Sequence, residues 1–251
     1  MALTLTREQQ LAISNFHENR ITSINAFAGT GKTTTLVEIA KSSKRKGLYL
    51  AFNRLIANEV KSKITNNNLI SRTTHSQALS YIRSKYEYSH EKLFERIPAN
   101  YLSDDLALKE VNVQDKLTLT PSNLSYLILS TIEKYCQTSK EKISNKHVPA
   151  YGLLLVLAPP TLREFNEYIA ELARFVWIKM LDPNSNYPLG HDGYLKLWSL
   201  DSPPLGFDYI LLDEAQDTND AVLSVLQKQE CKVVYVGDKY QQIYSWRGAI
   251  N

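Results

Sequence analysis

Cysteine is scarce in this sequence, and its scarcity removes whole classes of protein. The 251 residues include two, Cys136 and Cys231, far apart and in no metal-binding or redox spacing. A disulfide framework is therefore disfavoured, and a reducing cytoplasm, or a nucleus, suits the chain better than the cell exterior. Excess charge is also missing: 29 Lys plus Arg against 26 Asp plus Glu leave a net +3. So small a balance gives neither a polybasic coat nor an acidic tail, and any nucleic-acid site has to be local. No apolar run is long enough for a membrane. The longest, 150–158, is about half of what a bilayer requires and stops at Pro159-Pro160. The N-terminus has no positively charged stretch leading into an apolar one, and there is no internal repeat. What remains is 43% hydrophobic and 22% charged, a globular composition with room for one large domain or one domain carrying a smaller one.

Read along its length, the chain falls into three segments. In residues 1–75, Ile21 to Ala26 and Gly47 to Phe52 read as buried strands, and Leu69 to Thr73 as a shorter, more polar one. Leu36, Val37, Ile39 and Ala40 share one helical face after the first strand; Ile56, Val60 and Ile64 recur every four residues after the second. Strands alternating with helices of this length imply βαβ units and a parallel sheet. Residues 76–203 show no strand alternation and read as helical. Thr120-Pro121 opens one helix, lined by Leu124, Ile128, Ile132 and Tyr135. The pattern Thr161-Leu-Arg-Glu164 predicts a capping box at the start of another, with Phe165, Ile169, Leu172 and Val176 as its stripe. Ser202-Pro-Pro-Leu-Gly206 is a turn-rich return, and in 204–251 strand, helix and strand resume over Phe207–Leu212, Asn219–Lys228 and Cys231–Val236. The simplest architecture is one α/β sheet interrupted by a helical insertion.

The strongest chemical signal follows the first strand: Ala26-Phe-Ala28-Gly29-Thr30-Gly31-Lys32-Thr33-Thr34. A phosphate chain needs close backbone approach, which Gly29 and Gly31 permit, and several N–H donors aimed at one point. It also needs a cation for the β and γ phosphates (Lys32) and a hydroxyl for Mg²⁺ (Thr33). The P-loop pattern starts with Gly, and here Ala26 stands in that place. A second signal is Tyr209-Ile-Leu-Leu-Asp213-Glu214-Ala-Gln-Asp217, an apolar strand that ends in acids at the carboxyl edge of a sheet. Asp213 is the candidate Mg²⁺ ligand. Glu214 is the candidate general base for an attacking water.

Asp213-Glu-Ala-Gln-Asp217, followed by Gly237-Asp-Lys-Tyr-Gln241-Gln-Ile-Tyr244-Ser-Trp246-Arg-Gly-Ala249, resembles motifs II and III of superfamily 1 DNA helicases, the UvrD/Rep group and its F-box DNA helicase relatives in particular. The resemblance covers 3–75 and 207–251 well. It implies a RecA-like P-loop NTPase sheet with a mainly helical inserted subdomain. The sheet would be formed by residues 1–75 and 204–251, and the insertion by 76–203. It further implies that Gln9, in Leu5-Thr-Arg-Glu-Gln9, reads adenine, making ATP with Mg²⁺ the cofactor. Gln241 would sense the γ-phosphate. Phe52 and Asn53, His75, Tyr244 and Trp246 would contact single-stranded DNA, the aromatics by base stacking that tolerates any sequence. Where relatives often carry an aromatic before this histidine, the chain has Thr74. Core packing is the alternative for Phe52, Trp246 and His75, an ordinary amphipathic helix for Gln9, and core packing is the expectation for Phe165, Phe175 and Trp177.

The implied activity is ATP-dependent DNA unwinding, 3′ to 5′ by family resemblance. Because the chain ends just after motif III, the expectation is a fragment lacking a second RecA-like domain, weakly active or inactive alone, with exposed apolar surface where that partner docks. The alternatives are a nucleotide-dependent single-strand-binding or regulatory module that does not unwind, and an RNA-directed relative.

Overall fold

The computed structural model describes residues 4–27, 29–64, 68–114, 116–150, 154 and 156–238. Its first half runs α1 (Arg7–Glu18), β1 (Ile21–Asn25), α2 (Lys32–Lys41), β2 (Gly47–Ala51), α3 (Arg54–Lys63), β3 (Leu69–Thr73), α4 (Thr74–Lys85), α5 (His90–Phe94) and α6 (Ala99–Asp105). Then follow β4 (Val111–Val113), β5 (Leu117–Leu119), α7 (Pro121–Cys136), α8 (Pro159–Leu181), α9 (Gly190–Asp201), β6 (Tyr209–Leu212), α10 (Asp220–Gln227) and β7 (Lys232–Gly237). Two compact units result, one from Met1–Ser80 with Asp201–Asn251, the other from Tyr81–Leu200.

The first unit is α/β, built on a five-stranded sheet in the order β1-β7-β6-β2-β3, every neighbouring pair parallel. All residues of β2 and β6 are buried, the pattern of interior strands covered on both faces. Strand side chains alternate between faces. Tyr49, Ala51, Tyr209, Leu211, Val234 and Val236 therefore form one core, with Phe16 of α1, Leu36, Val37, Ile39 and Ala40 of α2, and Ala57 and Val60 of α3. All four expected apolar residues of α2 are in it, while Ile56 and Ile64 pack half-buried at its margin. Burying a side chain such as Leu36 contributes about 1.5–3 kcal/mol. Leu48, Leu50, Ile210 and Leu212 face the other way and are buried too. Beyond the Pro203-Pro204 turn, Gln229 fastens the returning chain: its amide donates to Pro203 O at 3.1 Å and accepts from Leu205 N at 2.9 Å.

In the second unit α7 starts as its sequence dictates, with Thr120 accepting from Asn123 N and Pro121 in the first turn; Leu124, Ile128, Ile132 and Tyr135 are buried. Three expectations fail. Helix α8 starts at Pro159, capped by Ala158 without a side-chain hydrogen bond, so Thr161 and Glu164 make no capping box. Proline's fixed φ is already helical and its missing N–H is no loss in a first turn, which moves the start ahead of Thr161. Phe165 and Trp177 are buried, but Phe175 is 50% exposed and Leu172 only half-buried. The insertion also contains strands: β4 and β5 pair as an antiparallel hairpin, turned through Gln114 at φ 53°.

Two lysines organise this unit. Lys196 is fully buried, its Nζ donating to Thr138 O at 2.7 Å and Lys140 O at 2.6 Å, 4.2 Å above the Tyr135 ring. Lys92 Nζ donates to the carbonyls of Lys179, Asp182 and Ser185. Both ammonium groups satisfy carbonyls at or just beyond helix C-termini, where the last turn has acceptors and no donors.

Candidate active site

All five strands run parallel, so the segments leaving β1, β6 and β7 emerge at one edge, with β7 between the other two. After β1, Gly29 and Gly31 take φ of 75° and 82°, a left-handed conformation that glycine adopts without strain. Thr30 closes the turn on Phe27 O, through Oγ1 at 2.7 Å and N at 3.3 Å. Gly31 then starts α2 without a side-chain cap. The uncapped first turn aims N–H donors and the positive end of the helix dipole at the loop, a ready-made anion site. Lys32, Thr33 and Thr34 fill that turn, half-buried. Gln9 lies beside it: a Cβ on Gly31 would sit 3.3 Å from its Nε2. The same side chain closes the capping box of α1, its Oε1 accepting from Thr6 N at 3.0 Å.

The acids come from β6. Asp213 is 2% exposed, and Glu214 follows in the left-handed region at φ 50°, unusual for a residue with a side chain. That turn points both carboxylates back at the P-loop. Lys32 Nζ lies 2.7 Å from Glu214 Oε2, and Thr33 Oγ1 donates to Asp213 Oδ2 at 3.2 Å, contacts that span 182 and 180 residues of sequence. Asp213 Oδ1 accepts from Glu214 N at 2.9 Å. Burial pushes the Asp213 carboxyl above the ordinary carboxylate range, opposed by hydrogen bonds from Tyr49, Glu214 N and Thr33. A hydroxyl and a carboxylate in contact are hard oxygen donors suited to Mg²⁺, an ion usually held by one or two carboxylates plus phosphate oxygens and water. No cluster of three or more His, Cys, Asp or Glu able to hold a metal occurs among the described residues.

Two contributors carried no assigned role in the sequence. Tyr49, buried in β2, donates its hydroxyl to Asp213 Oδ2, and burial beside that carboxylate pushes its phenol pKa up. A tyrosine in an otherwise aliphatic central strand is the signal, because its hydroxyl must find a partner. Gln216, 6% exposed, donates to Glu214 Oε2 at 2.8 Å.

Of the residues matched to strand-binding positions, Phe52 directly follows β2 and is 37% exposed. Asn53 is exposed but its side chain caps α3, accepting from Ile56 N at 3.0 Å. His75, in the first turn of α4 after β3, is exposed and not a core histidine. Phe27, inside the P-loop, is 60% exposed. Ala28, Gln241, Tyr244 and Trp246 lie outside the described residues.

A family model described as an AAA domain matches residues 9–247. The chain is 33% identical over 262 aligned residues to F-box DNA helicase 1 of Gallus gallus, covering 98% of this chain and 24% of that protein. It is 29% identical to F-box DNA helicase protein 1 of Schizosaccharomyces pombe, covering 98% and 28%. A probable DNA helicase of Mycoplasma pneumoniae is 26% identical, covering 98% and 48%. The chain thus spans a quarter to a half of the length of these relatives. No helix among the described residues is long and apolar enough to cross a membrane.

Proposed function

The chain belongs to the AAA domain family, matched over residues 9–247, and from that premise we propose that it is the ATP-hydrolysing motor domain of a superfamily 1 DNA helicase. The observation that carries the reading is the meeting of Lys32 with Glu214 and of Thr33 with Asp213 at one sheet edge. In the proposed cycle the N–H groups of 29–33 and the α2 dipole cradle the triphosphate. Lys32 leaves Glu214 for the β and γ phosphates, and the adenine lies by Gln9. Thr33 and Asp213 would hold Mg²⁺, which would supply positive charge against that developing on the phosphates. Glu214, released from Lys32, accepts a proton from the attacking water.

The strand-facing half of the proposal rests on resemblance together with the exposure of Phe52 and His75. There Phe52, Asn53 and His75 contact single-stranded DNA at the carboxyl ends of β2 and β3, with Tyr244 and Trp246 as stacking partners. Gln241 links γ-phosphate to strand, polarity is 3′ to 5′, and a second RecA-like domain completes the ATP site. ATP hydrolysis measured with and without single-stranded DNA tests the whole reading. Stimulation by the strand supports the motor. Strand binding with no turnover would instead favour a nucleotide-dependent clamp.

A further inference from the structure

Gln216 sits two residues beyond Glu214, in the short 3₁₀ turn Ala215–Asp217 that follows β6. Both ends of its amide are engaged. Nε2 donates to Glu214 Oε2 at 2.8 Å and to Asp217 Oδ2 at 3.3 Å, while Oε1 accepts from Asp238 N at 3.0 Å. The orientation of the amide is forced, since carboxylates only accept and a main-chain N–H only donates. Asp238 is the first residue after β7, at the head of the segment that carries Gln241, Tyr244 and Trp246. One side chain therefore bridges the carboxylate beside Lys32 and the exit of the neighbouring strand. The bridge is tight: a Cβ on Gly237 would come within 2.5 Å of Gln216 Oε1. Glycine at 237 is what leaves space for the amide.

We propose that Gln216 is a positioning residue for ATP hydrolysis: it fixes the Glu214 carboxylate and ties that position to the main chain leaving β7. This rests on Glu214 acting as the general base. When Lys32 turns to the phosphates, Glu214 loses a charged partner but keeps the Gln216 amide, which holds one carboxylate oxygen and leaves the other for water. A shift of the 237–238 main chain is transmitted to Glu214 through a single rigid amide. Loss of one hydrogen bond to a charged group sets the expected cost at roughly ten- to a hundredfold in kcat.

The test measures ATP turnover and, separately, equilibrium binding of a fluorescent ATP analogue with Mg²⁺, for wild type, Gln216→Leu, Gly237→Ala, Glu214→Gln and the Glu214→Gln/Gln216→Leu double variant. Gln216→Leu and Gly237→Ala are expected to lose roughly ten- to a hundredfold in kcat with analogue affinity within about twofold of wild type. In the Glu214→Gln background, Gln216→Leu should cost nothing further, because a residue acting only through Glu214 has nothing left to position. Additive losses in the double variant, or wild-type kcat in Gln216→Leu, overturn the positioning role while leaving the motor reading intact. A wild type that binds the analogue and never turns over ATP, even when joined to the second RecA-like domain that completes the site, overturns both. Should Gln216→Leu not fold, Gly237→Ala displaces the same amide and carries the same two expectations.

Discussion

In the helical unit, Lys92 and Lys196 are buried and donate to main-chain carbonyls, three for one and two for the other. In the α/β unit, the Lys32 side chain is only 10% exposed, but it is held by a side chain, Glu214, at the end of β6. A carbonyl acceptor is fixed by the fold, and exchanging it means unfolding a turn. A carboxylate on a turn with φ 50° can be exchanged for a phosphate oxygen without disturbing any helix. The same ion therefore stabilises one unit and equips the other. Strain and buried charge gathered at one sheet edge are what a ligand site requires, and they oppose folding until the ligand arrives.

The contrast breaks most visibly at Glu214. Replacing it with Gln keeps the shape of the site and removes the proton acceptor, so turnover should fall by about 10²–10⁴ while Mg-ATP affinity persists. Steady-state ATPase paired with equilibrium binding checks this, and unimpaired turnover would refute the assigned base. In the helical unit the matching change is Lys196→Met, which preserves the stem and deletes the donors. Removing the donor from the carbonyls of half-buried Thr138 and exposed Lys140 should cost about 1–3 kcal/mol, read as a lower midpoint in thermal or urea unfolding. A variant as stable as wild type would mean that the clamp is replaceable.

A subtler effect separates the two further. Burial raises the Asp213 carboxyl, so the folded protein keeps that proton to higher pH than the unfolded chain does. The associated stability is present below the unfolded value and is lost as pH climbs through the folded one. Asp213→Asn does not titrate. It should raise the melting temperature by a few degrees at neutral pH, weaken the Mg²⁺ dependence of nucleotide binding, and flatten the pH dependence of stability above the ordinary carboxylate range. A drop in melting temperature would show the carboxylate to be a structural asset.

How far the sequence spoke for itself depended on the length scale of each signal. Strands β1, β2, β3, β6 and β7 were legible because apolar runs bounded by turns leave few other options, and Gly29-Thr-Gly-Lys-Thr33 because few contexts need those types together. Local competition misled at α8: Thr161 and Glu164 have capping-box spacing, but Pro159-Pro160 start the helix first. Phe175 comes ten residues after Phe165, about 80° around the helix from it on the side away from the other buried residues, so its exposure was readable in the angle. A three-residue strand such as β4 is too short to display a period. The hydrogen bonds of Tyr49 and Gln216 join separate strands, and no local pattern encodes such pairings.

The central claim is that one triphosphate site lies between the P-loop and the β6 acids. Equilibrium titration of Mg-ATP into wild type and Lys32→Ala tests it most directly. The account predicts one saturable site in the wild type and an affinity at least about a hundredfold weaker in the variant, since a charge-assisted contact to phosphate is lost in a desolvated site. Equal affinities for the two proteins, or no binding by the wild type, would contradict it.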